Sequence, residues 1–293
     1  METATLIHSQ IKLKNILYAT DFSRYSDAAL PFALSIARKY GSRIFAVHVV
    51  SVPPFPGSTP TQALHAIAAQ AVKEAREDIG RVQARCQGVP HEAIVKKGEI
   101  WAEIATVVRE KAIDMVVCGT HGRTGLNKLL LGSVAEEIYR HAECPVLTVG
   151  PNVAAEPDSV GDIHTILYPM DFSAESMAAA PYAVSLAHEH QARLYLLHVT
   201  ETPVSPDVER ELASRMLDLI SRDAGLRCAP KAFVDFGDAG HKIAELAEEL
   251  MVDLIVLGPR ARPIFPAATH LPGSTAQYVV SRAICPVLTT RAH

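Results

Sequence analysis

No long apolar run, no basic surplus and no paired cysteines occur in this 293-residue chain. Each absence excludes something. The longest apolar stretches are strand-sized, far below the roughly 20 residues a membrane-spanning helix needs. Lysine and arginine total 28 against 32 acidic residues, a net charge of −4, and no Lys/Arg cluster forms the footprint of a nucleic-acid binder. Five cysteines (Cys86, Cys118, Cys144, Cys228 and Cys285) are scattered without a CxxC pair. That odd, dispersed set fits reduced thiols better than a disulfide framework. The N-terminal METATLIHSQIKLK lacks the charged start and apolar stretch of a secretion signal, so a cytoplasmic protein is expected. No GxSxG, HExxH or kinase-type HRD motif is present, and neither a GxxxxGK[ST] phosphate loop nor a GxGxxG turn occurs.

What is present is a repeat. Residues 14–50, KNILYATDFSRYSDAALPFALSIARKYGSRIFAVHVV, align without gaps to 164–200 at an offset of 150. AIDMVVCG (112–119) matches MVDLIVLG (251–258), and SVAEEIYRHAECPVLTV (133–149) matches STAQYVVSRAICPVLTT (274–290). The second copy is thus eleven residues shorter between its second and third strands and two longer in its glycine loop. The length suits two domains of about 150 residues. We expect them at 1–150 and 163–293, joined by the polar, Pro- and Gly-bearing linker 151–162. Strand-like apolar runs alternate with helical patterns in each copy, which predicts two α/β units of five parallel strands covered by helices.

The chemistry centres on residues 119–134, GTHGRTGLNKLLLGSV. Gly119 follows a buried-type strand and Ser133 precedes a helical pattern. Glycines let the backbone approach an anion, and amides at a helix N-terminus donate to phosphate oxygens. Ser133 either adds a hydroxyl donor or caps the helix, and Arg123 and Lys128 bring positive charge. His121 lies inside the loop, where it either meets phosphate or metal or stays an exposed loop side chain. Without further context the run fits a phosphate cradle and a capped glycine turn equally well. Asp21, of the DFS turn after the first strand, and its repeat Asp171 fit a hydroxyl- or amino-binding carboxylate, or an Asx turn ahead of the first helix. In an open sheet of order 3-2-1-4-5, strands 1 and 4 adjoin where the order reverses, the place where ligands bind, so Asp21 and Gly119 would flank one crevice.

The loop resembles the G-x2-G-x9-G-[ST] signature of the ATP-binding branch of the universal stress protein family. YATDFS, the HVV after strand 2 and the closing CPVLTV are similar to that family as well, and the resemblance runs over two tandem domains. It implies a Rossmann-like fold (adenine nucleotide alpha hydrolase-like) of order 3-2-1-4-5, and ATP or another adenine nucleotide, with Mg or Mn on the phosphates. It also implies pairing of domains through their last strands, here as an intramolecular pseudo-dimer, with a homodimer of chains open. By motif, Asp21 and Val49 would meet the adenosine end. Gly119 and Gly122 would lie along ribose and phosphates, with Gly132, Ser133 and Val134 on the phosphates; His121 and Arg123 of the same loop are further candidate nucleotide contacts.

The second copy keeps Asp171, Gly258, Gly273 and Ser274, but Ala261 replaces the middle glycine. Pro259, Pro263, Pro266 and Pro272 each lack an amide hydrogen, so nucleotide is expected mainly in the first domain. Cys144 and Cys285 open the repeated CPVL strand and are expected to be small buried residues. Three readings stay open: a nucleotide-binding stress-response or regulatory protein, a slow ATPase without an evident catalytic base, and an interaction scaffold with vestigial sites.

Overall fold

In a computed structural model, residues 11–51, 61–120, 132–153, 162–220, 224–258 and 275–290 are described. The first unit runs β1 (Asn15–Ala19), α1 (Arg24–Tyr40), β2 (Arg43–Val50), α2 (Thr61–Arg85), β3 (His91–Lys97), α3 (Ile100–Glu110), β4 (Met115–Gly119), α4 (Ser133–His141) and β5 (Val146–Val149). The second repeats it as β6 (Thr165–Pro169), α5 (Ala174–His190), β7 (Arg193–Thr200), α6 (Pro206–Leu219), β8 (Lys231–Phe236), α7 (Ala239–Glu249), β9 (Leu254–Leu257), α8 (Thr275–Arg282) and β10 (Val287–Thr289). The eleven-residue deficit falls in one helix, since α6 has 14 residues where α2 has 25.

Each unit is a parallel sheet in the expected order 3-2-1-4-5, and the two join in one ten-stranded sheet, β3-β2-β1-β4-β5-β10-β9-β6-β7-β8. The seam is antiparallel: Leu147 of β5 faces Leu288 of β10, flanked by the Val146–Thr289 and Thr148–Val287 pairs. Ile16, Leu17 and Tyr18 of β1 are fully buried, as a parallel strand covered on both faces requires. On one face a single apolar core runs through both units, from Ile16 and Leu30 to Leu186 and Leu196. On the other face each unit keeps its own core.

The helix ends follow from local chemistry. Ser23 caps α1, its hydroxyl accepting from the Ser26 amide, and α1 ends at Gly41 with φ +64°. Ser173 caps α5 in the same way, and Gln191 takes the left-handed position at φ +54°. The two helices touch across the units, where the Tyr40 hydroxyl lies 2.9 Å from that of Ser185. Cys285 is buried as expected, whereas Cys144 is only half-buried.

Candidate functional site

The strand order reverses at β1 and β4, and a cavity of about 300 Å³ opens beyond their C-terminal ends. Three chain segments leave the sheet there. β1 delivers Thr20 and Asp21, β2 delivers His48 and Val49, and β4 delivers Gly119 and Thr120. The N-terminus of α4 closes a fourth side with Gly132, Ser133 and Val134. The remaining wall is apolar: Val47, Ile100, Ile104, Cys118 and Ile138. Burial pushes the Cys118 thiol up to about 12, against a weaker opposing bond to Thr148, so it lines the cavity as a neutral group.

The DFS turn is rigid. Phe22 holds φ +61°, a conformation costly for a bulky residue unless its surroundings enforce it. They do so through three contacts. Asp21 Oδ1 accepts from the Ser23 amide (3.1 Å), and Thr20 Oγ1 accepts from the Phe22 amide (3.0 Å). The Phe22 ring lies 4.4 Å from that of His48. The buried Tyr18 hydroxyl then donates to the Ser26 carbonyl at 2.8 Å, tying the first turn of α1 to β1. His48 donates from Nδ1 to the Thr20 carbonyl at 2.7 Å, which fixes how β1 leaves the sheet beside β2. Asp21 is thus both an Asx-turn residue and a cavity wall.

Gly119 lines the cavity, but the space it leaves faces the other way. A β-carbon there would stand 2.6 Å from the Tyr25 carbonyl oxygen, inside the first turn of α1. The equivalent Gly258 would place its β-carbon 1.8 Å from the Glu175 carbonyl. Both glycines therefore admit a helix against the sheet.

At α4 the helix begins one residue earlier than Ser133 as a cap would require. Gly132 is the N-cap, so Ser133 is the first helical residue and does not cap. The Gly132 amide donates to the Thr120 carbonyl at 2.7 Å and shuts the base of the loop. Helix geometry leaves the amides of Ser133, Val134 and Ala135 without intrahelical acceptors, and all three residues border the cavity. With the helix dipole they form an anion-seeking end opposite the apolar wall. His121, Gly122, Arg123 and Lys128 lie outside the described residues, as do Gly273 and Ser274.

The second unit repeats the turn without repeating the walls. Asp171 Oδ1 accepts from the Ser173 amide at 3.0 Å, the Tyr168 hydroxyl donates to Ser176 at 2.6 Å, and His198 donates to the Met170 carbonyl at 2.8 Å. But Met170, Leu197 and Leu257 stand where the first unit has Thr20, Val47 and Cys118, and all three are buried. The guanidinium of Arg215 lies 4.2 Å from the Phe172 ring centre. The second unit thus carries larger side chains at three of the positions that line the cavity of the first.

The turn-fixing residues Tyr18, Ser26, Thr20 and His48 escaped the sequence reading as site residues. Tyr18, Ser26 and His48 recur in the second copy as Tyr168, Ser176 and His198, and that recurrence was the available signal. Among the described residues no three His, Cys, Asp or Glu side chains are grouped to hold a metal ion. None of the described helices is long and apolar enough to cross a membrane.

The model of the universal stress protein family matches this chain twice, over residues 12–150 and 162–291. The chain belongs to the universal stress protein family. A universal stress protein of Methanocaldococcus jannaschii is 35% identical over 138 residues, covering 46% of this chain and 81% of that protein. One from Mycolicibacterium smegmatis is 26% identical over 293 residues, covering 94% of this chain and 96% of that protein. In three dimensions, a universal stress protein from Archaeoglobus fulgidus superposes over 95% of this chain and 98% of its own, with a TM-score of 0.73 at 21% identity. That likeness is one of fold, and it extends over both units of the tandem.

Proposed function

We propose that the first unit binds an adenine nucleotide, ATP foremost, and that the protein acts in stress response or regulation through that occupancy. The observation that carries this reading is the two-ended cavity at the β1–β4 reversal. Its apolar wall of Val47, Ile100, Ile104 and Ile138 suits a nucleobase. Its far end, the open amides of α4, suits phosphate. Asp21, half-buried between them, offers a carboxylate to ribose or amino donors. Gly122, His121 and Arg123 belong to the same loop in sequence and would complete the phosphate end. A Mg or Mn ion would ride on the nucleotide phosphates, since the described residues supply no ligand cluster of their own.

The second unit serves as a partner domain. Its turn is kept, its cavity walls are enlarged, and its loop carries prolines. The antiparallel β5–β10 seam supports reading the chain as a pseudo-dimer of its own two halves. The protein is proposed to act in the cytoplasm, with reduced thiols. An enzymatic role would be confined to slow ATP hydrolysis, because the lining groups able to act as bases, Asp21 and His48, are engaged in holding the turn, Asp21 by the Ser23 amide and His48 by the Thr20 carbonyl.

The test begins with purified protein, denatured, its released small molecules identified by mass spectrometry. Calorimetry with ATP then follows on the wild type, Gly122→Val and Gly273→Val. Gly122→Val is expected to lose most binding and Gly273→Val little. Equal losses would sink the asymmetry, and no binding by the wild type would sink the nucleotide reading in favour of a scaffold. Turnover well above that of a Gly132→Val control would establish the enzyme.

A further inference from the structure

A second cavity, of about 330 Å³, lies in the second unit, where β6 and β7 begin. It is walled by His164, Gln191, Arg193, Arg227 and Cys228. Cys228 is the one exposed thiol of the five cysteines; Cys86, Cys118 and Cys285 are buried and Cys144 half-buried. Arg193 and Arg227 are both exposed, and among the described residues no ion pair engages either guanidinium. Oδ2 of Asp253 accepts from the amides of His164 and Thr165, at 2.9 Å each, at the start of β6. Two guanidiniums without an ion pair among the described residues, an amide side chain and a thiol therefore share one recess.

The recess carries side chains that the first unit lacks. The loop that carries Arg227 and Cys228 is anchored from below. Leu226 packs on the core, and Gly225, at φ +66°, seats against the His188 ring, which would meet a β-carbon at 2.7 Å. Strand register locates the counterparts in the first unit. Lys231 pairs with Tyr195 as Glu92 pairs with Phe45, so Arg227 and Cys228 stand where the first unit has Gly88 and buried Val89. The thiol and one of the two guanidiniums are thus additions of the second copy.

We propose that Cys228 is a thiol-exchange site for small disulfides whose arms carry carboxylates. Arg193 and Arg227 gather the anionic reagent and offset the negative charge that builds as thiolate meets disulfide. Cys228 first gives its proton to water. Its sulfur then attacks the nearer sulfur of the reagent, a new S–S bond forms, and the reagent's own S–S bond breaks. The departing arm leaves as a thiolate and takes a proton from water. Cys228 is oxidised to a mixed disulfide, and the released arm is reduced to a thiol. The retained arm fills the recess, its carboxylates against the two guanidiniums.

The test compares three disulfides on the folded, full-length protein: glutathione disulfide (anionic), bis(2-hydroxyethyl) disulfide (neutral) and cystamine (cationic). Adduct formation is followed by intact mass and located by peptide mapping. The wild type is expected to react with the anionic reagent about tenfold faster than with the cationic one, at Cys228, and Cys228→Ser to lose that adduct. Arg193→Gln/Arg227→Gln is expected to erase the preference while keeping the neutral-reagent rate. Should that double variant unfold, raising the salt concentration on wild-type protein must slow the anionic reagent and leave the neutral one unchanged. No anionic preference in the wild type, a preference that survives the double substitution, or an adduct at another cysteine overturns the proposal.

Discussion

The Tyr25 carbonyl oxygen occupies the place a β-carbon on Gly119 would need, at 2.6 Å. This contact seats the end of β4, which lines the cavity at Gly119, directly against the first turn of α1. Gly119→Ala must push α1 outward or bend β4, because the obstacle is backbone. Overpacking of this kind costs about 1–3 kcal/mol. Urea unfolding is expected to show that loss, and calorimetry a weakened ATP affinity. Gly258→Ala, set against Glu175 in the same way, is expected to cost stability while leaving ATP binding in the first unit unchanged.

The Tyr18 hydroxyl holds the same turn from inside the core. Tyr18→Phe removes its bond to the Ser26 carbonyl but leaves the ring in place. A buried hydrogen bond of this kind is worth about 0.5–1.5 kcal/mol. Tyr168→Phe removes the matching bond to Ser176. The two variants are expected to lose similar stability, while only Tyr18→Phe weakens ATP binding. Equal ATP affinity in both would mean that the turn does not govern the cavity.

Much of this architecture was readable because the chain repeats itself. The gapless offset of 150 between residues 14–50 and 164–200 set the order of elements twice over, and unbroken apolar runs such as Ile16–Leu17–Tyr18 signalled strands covered on both faces. The site was less legible. A glycine announces that a β-carbon is excluded, not what excludes it: Gly119 lines the cavity, and it is the first turn of α1 that takes the space of its missing β-carbon. Ser133 read as a possible cap because a serine before a helical pattern often is one, yet the Gly132 amide bond to Thr120 starts the helix a residue sooner. The larger wall residues of the second unit, Met170, Leu197 and Leu257, were invisible until the strands brought them side by side. Before that they were three ordinary apolar residues in three separate strands.

Acid should loosen the contact between the two units. His190, in the last turn of α5, is buried, and its Nε2 has no hydrogen-bond partner among the described residues. Burial first, then Lys39 of α1, lower its pKa to about 4; Asp162 opposes this and His164 adds to it. The unfolded chain, with an ordinary value near 6.5, binds the proton more readily. Stability is therefore full above about pH 6.5 and falls as pH drops toward 4, by about 3 kcal/mol at most. His190→Leu is expected to flatten that part of the stability–pH curve and to be at least as stable at pH 7, since it removes an unsatisfied buried nitrogen. An unchanged slope in the variant would assign the acid sensitivity to other groups.

The asymmetry of the two units can be tested by moving their walls. Thr20, Val47 and Cys118 line the cavity, and the larger Met170, Leu197 and Leu257 hold the equivalent positions of the second unit. The triple variant Thr20→Met/Val47→Leu/Cys118→Leu gives the first unit a combination that the second already accommodates on the same scaffold. It is therefore expected to fold, with its melting temperature showing the loss of the Thr20 hydroxyl bonds to Phe22 and Ser26 and of the Cys118 bond to Thr148. Its ATP affinity is expected to fall about tenfold or more, equivalent to about 1.4 kcal/mol. The larger side chains would occupy the nucleobase end while leaving the α4 amides untouched, so inorganic triphosphate should compete at the residual site as well as it does in the wild type. Retention of full ATP affinity by the folded variant would show that the base lies elsewhere.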